Sequence, residues 1–368
     1  MNHWKSLTDF IDNHQCSWSL QPEQGTAEWG MHLQDPAPYN RLLGPVFPRG
    51  KTCGLVEIEG RRVCEWGDTH RADMTFSVTK TYLALVAGRA FETGLITDLD
   101  QAVLTTLQQR KLPALGFDDE HNKQVTWRQM LQFSSEWQGN CFGIPDQVDH
   151  YRIVMMQQSE TAKPETQKTK GELRPLQKPG SHWEYNDVRI NQFSLALLHL
   201  FGQALPDVLD EHFMQPLQLQ QASGNNHTDG WHWHGYENSW VTIDNKALQS
   251  VPGGGHWGGG MVISAEAQAA IAGLMLAAGN DQPELLSKEW RQLMLQPCEL
   301  APWYGFFTWL NTDYCISKAA SSNSFFAMGI GGQVILHDPD ARLLAVFRWI
   351  DADYTRDIID LTYSLAGN

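Results

Sequence analysis

Strand-like segments stand near both ends of this chain of 368 residues, with helix-like segments between them. Near the start, residues 52–58 and 62–66 flank a Glu59-Gly60 turn, which predicts a β-hairpin. Near the end, four apolar runs predict further strands: residues 304–310, 324–328, 333–337 and 343–350. Strands from both ends can share one sheet if the middle of the chain is an insertion. The sequence therefore predicts an α+β fold, an α/β-type sandwich whose antiparallel sheet is built from both chain ends and flanked by helices.

Such a fold divides the chain into three parts. Residues 1–44 are an N-terminal extension, residues 45–100 and 240–368 form the sheet-containing α/β domain, and residues 101–239 form a helix-rich domain. Within the helix-rich domain, residues 157–180 carry few aliphatic side chains and are predicted to form an exposed loop. We expect the active site at the junction of the two domains.

The charge and the cysteines of the chain restrict its partners and its compartment. Lys and Arg number 27 against 42 Asp and Glu, and this net charge of −15 argues against a nucleic-acid partner, which needs clustered basic charge. No apolar stretch is long enough to cross a membrane, the first residues lack a secretory signal pattern, and the six cysteines are scattered. We therefore expect a cytoplasmic protein with reduced thiols and no membrane partner. The sequence leaves its oligomeric state open.

Ser77 and Lys80 lie three residues apart at the start of a helix predicted over residues 77–93, so their side chains share one face. A serine hydroxyl is a poor nucleophile unless a neighbouring group takes its proton, and a lysine can help to do so. The free N–H groups of the first helical turn suit an oxyanion. Serine and lysine also recur at this spacing on ordinary solvated helices, so the pair alone does not define a site.

Two further motifs follow this pair in order along the chain. Tyr185-Asn186-Asp187 precedes a predicted helix, and Ala327-Met328-Gly329-Ile330 begins a glycine-rich turn between two predicted strands. With the early hairpin and the segment 126–135, this ordered set resembles the serine β-lactamase and penicillin-recognising superfamily. Its class C-like branch, with carboxylesterases, D-aminopeptidases and 6-aminohexanoate-dimer hydrolases, is the most similar. The resemblance covers roughly residues 45–368 and implies a β-lactamase/transpeptidase-like fold.

The resemblance also implies roles for individual residues. Ser77 corresponds to the acylated nucleophile, and Lys80 corresponds to the residue that shares or relays its proton. Tyr185 corresponds to a general base or acid that protonates the leaving group, although a tyrosine at a helix start is by itself commonly just half-buried. The N–H groups of Ser77 and Ile330 would form the oxyanion hole. The implied activity is that of a serine hydrolase that cleaves a carboxylic ester or amide through an acyl-serine intermediate.

Two positions depart from the family pattern. Asp187 stands where the family usually has asparagine, and a carboxylate near Lys80 would favour the ammonium form, which shifts the role of base toward Tyr185. The Lys-Thr-Gly motif is absent, and Ala327-Met328-Gly329 stands in its place. The cation of that motif helps to bind the carboxylate of β-lactams. Its absence predicts that the chain is not an efficient β-lactamase and that aromatic surface holds the substrate more than a carboxylate clamp does.

Tryptophan is frequent, with 15 residues in the chain. Five of them are expected in loops that roof the cleft around the serine: Trp137, Trp231, Trp233, Trp240 and Trp257. The substrate-binding residues that we predict come from these loops and from the motifs: Asp187, Trp137, Trp233, Tyr236, His256, Trp257 and Gly329.

Other interpretations of these segments remain open. The tryptophans can equally pack loops over the core. Imidazoles bind zinc, so a metallohydrolase is a second candidate. The zinc ligands of such an enzyme would be His227, His232, His234 and His256, although no aspartate pattern completes a binuclear site. A catalytically silent ligand-binding or sensor module of the same fold is a third. The interpretation we favour needs neither metal nor cofactor, and its partner is a small-molecule ester or amide.

Overall fold

The computed structural model describes residues 3–22, 33, 35–154, 168–222, 228, 230–276 and 285–367. Its strands, numbered along the chain, are β1 (Cys53–Ile58), β2 (Arg61–Trp66), β3 (Asp73–Met74), β4 (Asn140–Cys141), β5 (Ile144–Pro145), β6 (His232–His234), β7 (Trp240–Ile243), β8 (Lys246–Gln249), β9 (Gly260–Ile263), β10 (Trp309–Leu310), β11 (Phe325–Gly329), β12 (Gln333–Asp338) and β13 (Leu343–Arg348). Its helices are α1 (Lys5–Asn13), α2 (Thr79–Glu92), α3 (Val103–Gln109), α4 (Trp127–Leu131), α5 (Asp187–Phe201), α6 (Leu205–Leu209), α7 (Ala265–Leu276), α8 (Lys288–Met294) and α9 (Thr355–Ala366).

One six-stranded antiparallel sheet joins the two ends of the chain, in the spatial order β10-β11-β12-β13-β1-β2. The joint is the pairing of β1 with β13, in which Cys53 lies opposite Arg348 and Ile58 lies opposite Leu343. Every residue of β12 and β13 is buried, and α7 packs against both strands. The predicted α+β fold, with one antiparallel sheet built from both chain ends, is confirmed.

Two predicted elements are shorter than the sequence pattern indicates. Strand β10 contains only Trp309–Leu310, because the chain turns just before it, where Phe307 has a φ of 51° and Gly305 N donates to Thr308 O (2.8 Å). Residues 76–78 form a single 3₁₀ turn, so the helix predicted from residue 77 begins at Thr79. The pattern of apolar residues along the sequence does not predict either turn.

The loop predicted at residues 157–180 is described in part. Residues 168–180 contain no helix or strand and are mostly exposed or half-buried. Residues 157–167 of that prediction lie outside the described residues.

A second sheet, ordered β3-β9-β6, contains part of the aromatic segment. The expectation of a loop is wrong for Trp233, which lies in β6 between His232 and His234. The indole is buried and the two imidazoles are half-buried. Burial alternates in this way because successive side chains of a strand point to opposite faces of the sheet. The expectation is also wrong for Trp240, which begins β7 and is 57% exposed.

Helix α2 lies in the interior of the molecule. Most of its side chains are buried, and it packs against α5, α6 and α8. Because packed side chains surround the helix, its N-terminal turn is held in one place relative to the sheet. The catalytic residues implied by the resemblance begin at that turn.

Two further features of the described residues concern the apolar length of the helices and the state of the cysteines. Among the described residues, no helix combines the length and the apolar character needed to cross a bilayer. The six cysteines, all of which are described, are free thiols, five of them buried and Cys315 half-buried.

Candidate active site

Ser77 lies in the 3₁₀ turn that precedes α2. The residue before it, Phe76, has a φ of 49°, which is uncommon for a bulky side chain and costs on the order of 1–3 kcal/mol. The ring of Phe76 meets Trp349 edge-on at 6.0 Å between centroids, and Gln268 Nε2 donates to Thr75 Oγ1 (2.7 Å). Packing on both sides therefore holds the strained turn that presents Ser77.

The end of β11 lies directly against this turn. A Cβ atom added to Gly329 would be 2.5 Å from Thr75 O and 3.2 Å from Ser77 N, so only glycine allows the approach. Ile330 follows at once, and both Ser77 and Ile330 line the same cleft. The structure thus brings together the two backbone positions that the resemblance assigns to an oxyanion hole.

Lys80 is almost fully buried beneath Ser77. Its Nζ atom donates to Ser77 Oγ (3.2 Å) and lies 2.7 Å from Asp187 Oδ1. Gly254 leaves room for this amine, since a Cβ atom there would be 2.6 Å from Lys80 Nζ. Helix α2 and the start of α5 therefore meet at one ion pair beside the serine.

The ion pair sets the protonation state of Lys80. Burial disfavours the ammonium, but the nearby Asp187 and Tyr185 outweigh it, and the pKa of Lys80 is raised above its ordinary value. Burial also opposes ionisation of Asp187, yet Arg152 and Lys80 hold the pKa of that carboxyl well below its usual range. At neutral pH Lys80 is therefore a cation that donates to Ser77 Oγ and cannot accept its proton.

Tyr185 stands immediately before α5 and lines the cleft with Ser77. Its ring stacks on Phe133, at 4.4 Å between centroids, and on Trp309, at 5.9 Å. Lys80 Nζ lies 4.9 Å from the centroid of the same ring. The phenol ring is thus fixed in orientation next to the buried amine.

Asn186 fixes the start of α5. Its side chain accepts from Arg189 N (3.2 Å), which makes it the N-cap of the helix, and its Nδ2 donates to Asp146 O (2.8 Å). The middle residue of the tyrosine motif therefore supports the helix, while the residues on either side of it face the site.

A buried charge cluster supports the chain on either side of Tyr185. Glu136 accepts from Arg174 Nη1 (2.7 Å) and from Arg189 Nη1 (2.9 Å), and Arg174 also lies 2.8 Å from Glu184. Burial opposes the charge of Glu136, but these arginines outweigh it and lower its pKa to about 2. The cluster ties the segment after α4 to the residues that precede α5.

A second charge network lies behind Asp187. Arg152 Nη1 donates to Asp187 Oδ2 (2.6 Å), and Asp187 N donates to Asp149 Oδ2 (2.7 Å). His256 bridges two carboxylates, with Nδ1 at 3.2 Å from Asp187 Oδ2 and Nε2 at 2.9 Å from Asp35 Oδ2. His256 thus contacts a site residue and does not line the cleft itself.

One group of possible metal ligands lies close together in the described part of the chain. Among the described residues, Asp35, Asp149 and His256 form such a group, with one ligand atom each lying within 4.8 Å of the others. Lys170 contacts all three, at 3.1 Å from Asp149 Oδ1, at 3.4 Å from His256 Nε2 and in an ion pair with Asp35. An ammonium therefore takes the central position of this group.

The other histidines of the metal interpretation are placed differently. The rings of His232 and His234 lie 4.0 Å apart on β6, and neither residue belongs to the group of possible ligands around His256. His227 lies outside the described residues.

The cleft in front of Ser77 has a volume of about 220 Å³ and a mostly apolar wall. Its lining includes Ser77, Tyr185, Gly329 and Ile330, as predicted from the sequence, and other residues that were not predicted, among them Arg152 and Trp309. Trp309 falls on a predicted strand, and Arg152 belongs to no recognisable motif. No sequence signal marked either position.

Four aromatic residues predicted to bind substrate lie in the packed interior and do not line the cleft. Each is at most 2% exposed, and each has its polar atom satisfied inside the protein: Trp137 Nε1 donates to Gly116 O, Trp233 Nε1 to Pro252 O and Trp257 Nε1 to Tyr39 O, and Tyr236 Oη accepts from Asn191 Nδ2. An indole with a backbone acceptor in the interior needs no ligand to pair its N–H group.

Solved structures share this architecture at low sequence identity. The chain is similar to a putative beta-lactamase from Bacteroides dorei, with 11% identity, a TM-score of 0.59 and 99% of both chains covered. It is similar to EstCE1, a hydrolase with promiscuous acyltransferase activity (16% identity, TM-score 0.55, 88% of this chain and 92% of that one). It is also similar to a putative 6-aminohexanoate-dimer hydrolase from Bacillus anthracis (14% identity, TM-score 0.54, 86% of this chain and 77% of that one).

At these identities the likeness establishes the fold alone. No curated protein sequence matches the chain. The family model for beta-lactamases matches residues 60–355, well over half of the chain, and its match spans the serine, the tyrosine motif and the glycine turn described above. The chain therefore belongs to the beta-lactamase family.

Proposed function

We propose that this protein is a serine hydrolase that cleaves a carboxylic ester or amide through an acyl intermediate on Ser77. The observation that carries the proposal is the contact of Lys80 Nζ with Ser77 Oγ (3.2 Å) at a cleft that Tyr185 also lines. A nucleophile, a cation beside it and a second proton-transfer group then lie in one place, as acyl transfer requires.

The proton steps follow from the charge state of Lys80. Because the ion pair with Asp187 keeps Lys80 as an ammonium, we assign the role of base to Tyr185, next to whose ring the lysine cation lies. Ser77 Oγ attacks the carbonyl carbon and its proton passes to Tyr185, while the N–H groups of Ser77 and Ile330 receive the oxyanion. The tetrahedral intermediate collapses, the bond to the leaving group breaks, and Tyr185 protonates the departing alkoxide or amine.

Deacylation repeats the same steps with water as the nucleophile. Tyr185 takes a proton from the water as it attacks the acyl carbon, and it returns this proton to Ser77 Oγ when the bond between Oγ and the acyl carbon breaks. The products are a carboxylic acid, an alcohol or amine, and the free enzyme.

The substrate is held mainly by apolar surface. Trp309, Met328 and Val334 line the cleft, and Ala327-Met328-Gly329 brings no cation to its β11 side. The similar structures include EstCE1, a hydrolase with promiscuous acyltransferase activity, and a putative 6-aminohexanoate-dimer hydrolase, which fits ester or amide cleavage. We propose poor activity toward β-lactams, because β11 offers no cation to their carboxylate.

Labelling with a fluorophosphonate probe tests the proposal directly. We expect one adduct, on the peptide that contains Ser77, together with turnover of p-nitrophenyl butyrate that persists in EDTA. Ser77→Ala should abolish the adduct and lower kcat/KM at least about 10³-fold. Ser181→Ala, at an exposed serine, is the matched control and should change neither.

Three other outcomes would each support a different conclusion about this protein. An adduct without turnover of any ester would indicate the silent binding or sensor module. Activity that is lost in EDTA and restored by zinc would indicate the metallohydrolase. Full activity of the Ser77→Ala variant would overturn the proposal.

A further inference from the structure

A second cavity lies apart from the cleft, where α4 meets the segment that follows α8. Its volume is about 490 Å³, against about 220 Å³ for the cleft, and no described residue lines both. Its walls come from the segments 126–134 and 296–300, together with Asp100 and Gly180. The proposed reaction uses none of these side chains, so the cavity calls for an explanation of its own.

Two polar side chains in this lining are buried but incompletely paired. Ser134 is 4% exposed and Gln132 is 7% exposed. Among the described residues, Ser134 Oγ has no hydrogen-bond partner, and the Gln132 side chain makes one long bond, from Nε2 to Gln296 O (3.5 Å). Neither Ser134 Oγ nor Gln132 Oε1 is sealed inside the protein, so both are reached from the cavity. Because buried polar groups are nearly always paired, water or a ligand in the cavity must supply their partners.

The charged groups of the cavity do not favour an anion. Arg128 donates through Nε and Nη2 to Asp100 (2.6 and 3.0 Å) and through Nη1 to Gln296 Oε1 (3.4 Å), so each of its three nitrogens has an acceptor. Glu299, also in the lining, is an exposed carboxylate. The groups that remain available in the interior of the cavity are therefore a neutral hydroxyl and a neutral amide, each of which can donate and accept.

The walls of the cavity are held in place by the protein itself. Thr126 and Gln129 form a capping box at the start of α4, in which Gln129 N donates to Thr126 Oγ1 (3.2 Å) and Thr126 N donates to Gln129 Oε1 (3.0 Å). On the other wall, Cys298 N donates to Tyr304 O (2.8 Å). A ligand would therefore enter a preformed site, as is usual for small molecules.

We propose that this cavity binds a small neutral polyhydroxyl compound, such as a mono- or disaccharide. A sugar hydroxyl both donates and accepts, which matches the hydroxyl of Ser134 and the amide of Gln132. Pro297 and Leu300 add apolar surface for the C–H face of a sugar ring. The inference does not depend on the proposed hydrolase function, because the site lies outside the cleft.

Phe133 lies between this site and the cleft. It stands between Gln132 and Ser134 in the sequence, but its ring stacks on Tyr185 at 4.4 Å between centroids and it lines neither cavity. A sugar in the second cavity thus lies behind the ring that packs on Tyr185 and does not touch an ester bound at Ser77. We therefore expect that sugar and ester do not compete.

Ligand-observed NMR titrations with matched sugars test the class of ligand. Glucose and maltose are neutral, glucose 6-phosphate is an anion, and glucosamine is a cation at pH 6. We expect saturable binding of a neutral sugar, with a Kd for glucose 6-phosphate at least about 10-fold higher than for glucose, because the cavity offers no unpaired cation within the described residues.

Two variants test the assigned side chains. Ser134→Ala should raise the Kd of the neutral sugar about 3- to 10-fold, since one hydrogen bond is lost. Gln132→Leu keeps the shape of the side chain without its amide and should have a similar effect. Ser135→Ala is the matched control, because Ser135 is as buried as its neighbour but does not line the cavity, and it should leave the Kd unchanged.

Hydrogen–deuterium exchange locates the site in the wild-type protein without variants. Maltose should protect peptides that cover residues 126–134 and 296–300, and it should leave KM for p-nitrophenyl butyrate unchanged. The inference is overturned if neither glucose nor maltose binds, if glucose 6-phosphate or glucosamine binds more tightly than glucose, if Ser134→Ala and wild type bind equally, or if maltose raises KM. Ser77 labelling and ester turnover would stand in each of these cases, so the proposed function is judged separately.

Discussion

Asp187 sets the charge of the buried lysine beside the proposed nucleophile. Its carboxylate lies 2.7 Å from Lys80 Nζ, and the pKa of this lysine is raised above the usual 10.5, because the carboxylate and Tyr185 outweigh the effect of burial. A buried lysine without such a partner would tend to lose its proton. In the proposed mechanism, one carboxylate oxygen in place of an amide therefore moves the role of base from the lysine to the tyrosine.

Replacing Asp187 with Asn should bring the ionisation of Lys80 into the measurable range. Without the carboxylate, burial and Arg152 both disfavour the ammonium, so the pKa of Lys80 falls. We expect the kcat/KM profile of Asp187→Asn to show a transition below pH 10 that wild type lacks. Asp9→Asn, at an exposed pair with Lys5, is the control. Profiles of Asp187→Asn and wild type that superimpose would show that Asp187 does not tune the site.

Gly254 is the residue that makes room for the amine. A Cβ atom at this position would be 2.6 Å from Lys80 Nζ and 3.2 Å from Asp187 Oδ1. Gly254→Ala should displace Lys80 from Ser77 and lower kcat/KM by about 10²- to 10⁴-fold, the usual effect of losing a proton-transfer group. In the control Gly273→Ala the new Cβ atom meets nothing within 4 Å, so activity should persist. Near-normal kinetics of Gly254→Ala would contradict this account of Lys80.

At the scale of elements, the site is assembled by the starts of two helices and the end of one strand. The turn before α2 presents Ser77, the N-cap of α5 follows Tyr185 directly, and the end of β11 presents Ile330. Helix starts are suited to this task because their free N–H groups and fixed caps set the direction of nearby side chains.

The N-cap of α5 offers a test of this arrangement. Asn186→Ala removes the acceptor for Arg189 N and the donor to Asp146 O, and should cost about 1 kcal/mol of unfolding free energy. Because Tyr185 precedes the cap, kcat/KM should fall as well. Ser287→Ala removes the cap of α8, which accepts from Trp290 N (3.1 Å), and should cost similar stability without loss of activity. Equal activity of the two variants would refute a positioning role for Asn186.

At the scale of the whole molecule, the large sheet carries a buried histidine that the proposed chemistry does not use. His337 lies on β12, its ring stacks on Phe325 at 4.4 Å between centroids, and neither ring nitrogen has a hydrogen-bond partner among the described residues. Burial lowers the pKa of His337 to about 3. The imidazole is therefore neutral in the folded protein over most of the acidic range.

The neutral, buried His337 should make the folded protein less stable as the pH falls. Between pH 6.5 and pH 3 the unfolded chain binds a proton that the folded protein does not, so the unfolding free energy falls as pH falls, by about 1.4 kcal/mol per pH unit. His337→Phe should reduce the pH slope of the unfolding free energy by about this amount, measured in denaturant titrations at a series of pH values. His70→Phe, at an exposed histidine, should keep it. An unchanged slope in His337→Phe would contradict the assignment.

Contacts that are local in sequence could be anticipated, and they include much of the proposed reaction centre. Ser77 and Lys80 face the same way because three residues make almost one helical turn. The hairpin of β1 and β2 and the start of α5 also follow from nearby residues, through a tight turn and a capping side chain. The expected meeting of Asp187 with Lys80 needed the family resemblance as well, since more than a hundred residues separate them.

The rest of the cleft was decided by tertiary structure alone. Arg152 and Trp309 come from distant segments and reach the cleft only when the sheet and α5 are in place. The aromatic composition predicted a tryptophan-rich wall, but Trp137 and Trp233 donate their N–H groups to backbone carbonyls of the interior. Composition cannot distinguish an indole that pairs with the backbone from one that faces a ligand, because the acceptor that decides it lies on a remote part of the chain.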